Sequence, residues 1–162
     1  PYWDPAKSHH YHATLRAGEE TLEASLVRVL LRTVASTKAV DAEAFRNEYV
    51  KFMQTPGSHN DSYASTAHRM FFANLFHKQK PVTECPDNDA HNVDTIDGLV
   101  LPSVAAACAA YQGGPGDAGK AAARDAAVAV AATTRASRPL ATAAAALGDA
   151  MHGAIHGVGS PS

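Results

Sequence analysis

Almost every periodic signal in this chain repeats at three or four residues, and Val, Ile and aromatic residues never alternate over four or more positions outside those runs, which points to helices and no strand. Leu22, Leu26, Val29, Leu30, Thr33 and Val34 form one stripe on a helix predicted over about residues 19–36. Asp41 can cap a second helix whose core face is Phe45, Tyr49, Phe52 and Met53, and Pro56-Gly57 stops it. A third helix is expected to start near Asp61 or Ser62 and to turn Ala64, Ala67, Phe71, Phe72 and Leu75 inward. A fourth is expected from about Asp94 through Ala110, burying Ile96, Leu99, Val100 and Val104, with a kink or late start at Pro102. After Gly113-Gly114-Pro115-Gly116, two alanine-rich helices follow over about 117–134 and 138–155. Ser137 is the N-cap of the second, and Pro139 sits in its first turn. The expected fold is all-α, a compact bundle of about six helices.

At 162 residues the chain can bury a real core. Its 46% hydrophobic and 19% charged residues match a soluble globular protein. A formal net charge of −2, with no basic block, argues against nucleic acid as a partner. No apolar run approaches the roughly 18 residues of a membrane span, so no membrane partner is expected. The two cysteines, Cys85 and Cys108, read as reduced structural thiols rather than a disulfide framework or zinc site. With Pro1 first and no apolar signal region, a cytoplasmic or other intracellular compartment is expected. Residues 1–18 read as an N-terminal extension, 19–112 as the helical core segment, 113–156 as the alanine-rich pair and 157–162 as a linker-like tail. Together the two ends suggest a processed or partial chain.

Three motifs fail on inspection. Gly114-Pro115-Gly116-Asp117-Ala118-Gly119-Lys120-Ala121 nearly spells a phosphate-binding loop, but no strand precedes it and Ala121 replaces the magnesium-binding hydroxyl. Asp87-Asn88-Asp89 begins like a calcium loop, but Asn92 and Gly98 occupy the positions of its Gly and bidentate Glu. His9, His10 and His12 read as solvated terminal histidines. The side chains that point to function lie instead in two polar runs, Ser58–Ser62 and Asp87–Asn92, on either side of the third helix. With Asp94 and Asp97 they bring His59, Asn60, Asp61, Asp87, Asp89, His91 and Asn92 towards helix N-termini. Unpaired backbone N–H groups there hold anionic ligands or are capped by the acids themselves. Met70, Phe71, Phe72 and Phe76 read as core, with adenine stacking as the lesser reading. Arg69 reads either as a phosphate contact or as a surface ion pair.

The order of parts carries a resemblance. Glu19-Glu20-Thr21 opens a helix, Asp41, Phe45 and Tyr49 mark the next, and a Pro-Gly turn leads to Ser65-Thr66-Ala67-His68-Arg69. A Lys-Pro turn, a polar loop with Asn92 and a helix reaching Leu101-Pro102 complete it. Over about residues 15–110 this resembles the ADP-ribosylglycohydrolase family, which includes the dinitrogenase-reductase-activating glycohydrolases and the J-type crystallins. The resemblance implies a larger helical domain that hydrolyses glycosidic bonds of ADP-ribose with two magnesium ions. It also implies metal ligands at Glu19, Glu20 and Thr21, and substrate contacts at Asp61, His91, Asn92 and Asp94. The departures are specific. Glutamates replace the early aspartates, no Gly-Asp-Ala-x-Gly segment precedes them, and the late Asp-x-Asp-Ser/Thr motif is absent. Of the family's Gly-Asn-Gly-x-x-Met-Arg loop, mapped onto residues 91–97, only Asn92 remains. The expectation is therefore an ADP-ribosylglycohydrolase-like protein, inactive or incomplete as it stands, acting on ADP-ribosylated substrates. The alternatives are a noncatalytic subunit that binds other protein subunits through the same helices, or an unrelated all-α ligand-binding domain.

Overall fold

The structure, a computed structural model, describes residues 11–88 and 93–157. His9, His10, Asp89, His91, Asn92 and the tail 158–162 lie outside the described residues. Among the described residues six α-helices follow in order: α1 Leu22–Thr37, α2 Ala42–Gln54, α3 Thr66–Phe76, α4 Val100–Gly113, α5 Asp117–Ala131 and α6 Arg138–His156. Short 3₁₀ turns at Val82–Glu84 and Ile96–Leu99 interrupt the connection from α3 to α4. Among the described residues there is no strand, only an isolated bridge between Asp87 and Arg135. The all-α expectation holds. No described helix is long and apolar enough to cross a membrane.

The stripe on α1 is buried as its spacing requires, with Leu22, Leu26, Val29, Leu30 and Val34 in one core with Phe45, Tyr49 and Phe71. Each large apolar side chain fully buried there contributes about 2 kcal/mol. α1 packs on α2 and α4, and α4, α5 and α6 pack closely on one another. Small residues permit that closeness. A Cβ on Gly148 of α6 would stand 2.6 Å from the Arg124 Cα of α5, so the two backbones touch. A second, smaller core of Ala106, Ala127, Ala131, Leu140 and Ala144 joins these three helices. Both cysteines are free, and burial pushes both thiols up from their ordinary value, which suits inert packing groups. The glycine-rich near-motif is the turn between α4 and α5.

Several helix ends differ from expectation, each for a physical reason. α1 starts at Leu22 rather than near residue 19, because Thr21 is its N-cap and accepts the Ala24 N–H. α3 starts at Thr66, not at Asp61 or Ser62. The Asp61 carboxylate accepts the Leu22 N–H instead, so residues 61–65 run without helix. The helix expected from Asp94 is only a 3₁₀ turn until Val100. Pro102 has no N–H to give the carbonyl four residues back and its ring would clash there, so α4 must begin within a turn of it. The inward face shifts accordingly to Leu101, Pro102, Ala105, Ala106, Ala109 and Ala110. Ile96, expected to be buried, is 86% exposed, and Val100 is exposed too. α5 ends at Ala131, short of the expected 134.

Candidate functional site

Asp61 organises the junction between the N-terminal residues, α1 and the loop before α3. Its Oδ2 accepts the Leu22 N–H at 2.9 Å, its Oδ1 accepts the Tyr63 N–H at 3.1 Å, and His12 Nδ1 lies 2.8 and 2.9 Å from the two oxygens. Three donor atoms thus converge on this one carboxylate, with the His12 nitrogen shared between its two oxygens. Burial pushes the Asp61 carboxyl up, but the hydrogen bonds from Leu22, His12 and Tyr63 outweigh it and hold the group below its ordinary value. Residues 11–14 lie along the same loop. Asn60 donates to the Thr14 carbonyl at 2.8 Å, and Ser62 Oγ to the Tyr11 carbonyl at 2.8 Å.

A hollow of about 420 Å³ opens beside this junction, lined by Thr21, Glu23, Asp61, Ser65, Thr95 and Asp97 together with His12, Leu22 and Tyr63. The first polar run and the segment following the second thus share one concavity at the start of α1. Two larger hollows are also present, one of about 570 Å³ lined by α1, α2 and Ser58 and one of about 770 Å³ lined by residues 12–19 with Thr21 and Asn60. Arg135, buried after α5, fixes the second segment. Its Nη1 donates to the Val93 carbonyl at 2.9 Å and its Nη2 to Asp97 Oδ2 at 2.6 Å. Burial pushes the Asp97 carboxyl up, yet the Thr95 and Arg135 hydrogen bonds and the Arg135 charge together hold it below its ordinary value.

Behind Glu23 lies a buried polar chain that joins three helices. His68 Nε2 is 2.9 Å from Glu23 Oε1, and His68 Nδ1 is 2.8 Å from the Tyr49 hydroxyl. Burial, with the Glu23 charge nearby, pushes the Tyr49 phenol well above its ordinary value, so Tyr49 keeps its proton. In the tautomer that places the Nε2 proton towards Glu23, Nδ1 is the acceptor for the Tyr49 hydroxyl. A void of about 10 Å³ separates Glu23 and His68 from Asp97 and Arg135.

The residues expected to bind metal or substrate are distributed unevenly. Thr21 caps α1 and lines the hollow. Glu20 pairs with Arg28 at 2.7 Å and accepts Ser25 Oγ. Glu19 accepts the Arg16 N–H and Asn60 Nδ2, each at 2.8 Å, and these bonds hold its carboxyl below the ordinary value. Asp94 is exposed, accepts the Ser137 hydroxyl at the start of α6 and is not among the residues lining the hollow. His91 and Asn92 lie outside the described residues. Phe71 is core, as expected, while Phe76 is 55% exposed. Arg69 donates to Thr66 Oγ1 at 3.1 Å.

Sequence reasoning missed Glu23, Ser65, Thr95 and Arg135, and it took Tyr49 for plain core. One signal was available. His68 falls on the inward face of α3, four residues after Ala64 and three before Phe71, where a polar ring needs a partner. No known family model, curated protein or solved structure matches the chain.

Proposed function

We propose that the chain is an ADP-ribosylglycohydrolase-like protein whose hollow beside α1 receives an ADP-ribose compound, and that in its present form it binds without efficient turnover. The observation that carries this reading is the meeting of Asp61 with Thr95 and Asp97 in one hollow at a helix start. Asp61 and Asp97, with a whole helix between them in sequence, bring two carboxylates to one hollow, and a sugar-nucleotide cleft uses such convergence of polar groups.

Magnesium enters only through the resemblance, and the early cluster does not fit it. A magnesium ion takes several hard oxygens in near-octahedral array. Glu20 is matched by Arg28 and Glu19 by Asn60 and Arg16, and the described residues contain no group of three acidic, histidine or cysteine side chains placed to hold a metal. The same pairing supports the second reading, a noncatalytic subunit that binds other protein subunits through the helical frame.

The experiment is calorimetry with ADP-ribose, with and without magnesium, beside an assay for ADP-ribose release from ADP-ribosylated peptides. Saturable binding with no release is expected. Efficient release would make the chain a competent hydrolase, and no binding would leave the subunit reading.

A further inference from the structure

We infer that the Glu23 carboxylate and the Ser65 hydroxyl form a reading pair for a vicinal diol, and that the hollow holds the sugar end of its ligand rather than a phosphate. This deepens the functional reading above and rests on it for the choice of ribose.

Ser65 is the N-cap residue of α3, yet its hydroxyl makes no capping bond. N-cap serines normally accept an N–H from the first turn. Here the residue is 6% exposed and lines the hollow, and its Oγ has no hydrogen-bond partner among the described residues. A buried hydroxyl left unmatched costs about 1–3 kcal/mol, so a ligand atom that completes it is rewarded in affinity.

Of the three carboxylates in the hollow, two are already occupied. Asp61 accepts from Leu22, Tyr63 and His12, and Asp97 from Arg135. Glu23 differs, because His68 engages only Oε1. The buried Tyr49–His68 pair fixes its orientation, which leaves Oε2 as the open acceptor. Three carboxylates around one hollow repel a phosphate. Those of Asp61 and Asp97 are already matched by protein donors, so an added cation gains little. An open carboxylate oxygen and an unmatched hydroxyl lining the same hollow, with Leu22 and Tyr63 as apolar walls, suit adjacent ligand hydroxyls.

The test titrates the whole chain with D-ribose, ADP-ribose, inorganic phosphate and argininamide, using wild type, Glu23→Gln and Ser65→Ala. Melting curves confirm that each variant is folded. Ser65→Ala removes no cap bond and serves alone if Glu23→Gln fails to fold. The expected result is binding of D-ribose and ADP-ribose weakened at least tenfold in each folded variant, with no binding of phosphate or argininamide. ADP-ribose bound equally by all three proteins would overturn the diol pair and leave the functional reading intact. D-ribose bound in a Glu23- and Ser65-dependent way without ADP-ribose binding would do the reverse. Binding of phosphate or argininamide that displaces ribose, or no binding by any probe, would overturn the pair.

Discussion

Asp61 caps a helix that begins 39 residues before it, its carboxylate accepting the Leu22 N–H at 2.9 Å. One side chain thereby ties the loop ahead of α3 to the start of α1 and sets one wall of the hollow. Replacing Asp61 with Ala leaves the Leu22 and Tyr63 N–H groups without that acceptor. The expected loss is about 2–4 kcal/mol, read as a lower urea midpoint with an unchanged slope.

The pH dependence of stability follows from the same group and from Asp97. Both carboxyls lie below their ordinary values in the folded chain. Their stabilisation is therefore fully present above the ordinary carboxylate range and is lost as pH falls through their lowered folded values. Melting temperature should drop on acidification through that window, and Asp61→Asn should flatten the drop.

The Tyr49–His68–Glu23 chain favours the Nε2–H tautomer of His68. The ¹⁵N spectrum of His68 should show a protonated Nε2 and an accepting Nδ1. Tyr49→Phe leaves Nδ1 buried without a donor and should cost about 1–3 kcal/mol, measured by denaturant unfolding.

Close backbone contact at the α4–α5 turn separates two glycines that look alike in sequence. A Cβ on Gly119 would stand 2.0 Å from the Gly114 carbonyl oxygen, whereas one on Gly116 meets nothing within 4 Å. Gly119→Ala should destabilise by about 1–3 kcal/mol and Gly116→Ala by no more than about 0.5 kcal/mol. A phosphate-cradling loop would have needed both.

Local periodicity made much of this fold legible. The stripe Leu22–Val34, the Asp41 and Ser137 caps and the first-turn Pro139 are all where their spacing places them. Each depends on neighbours within a turn or two of chain. The Asp61 cap, the Arg135 clamp on Val93 and Asp97, and the Glu23–His68 contact join residues 38 to 45 positions apart. Periodicity carries no information at that range. Ile96 was misread for a related reason: it has helical spacing, but Pro102 delays α4 and turns it outward. The polar runs were visible as a concentration of side chains. That Asp61 would be consumed as a cap while Glu23 stayed open needed coordinates.

The most direct test of the central claim is amide chemical-shift mapping of the isotopically labelled chain during titration with ADP-ribose. Saturable shifts centred on Glu23, Ser65, Thr95 and Asp97, with α5 and α6 unmoved beyond Arg135, are the predicted result. Shifts confined to a different face, or none at millimolar ligand, would contradict it.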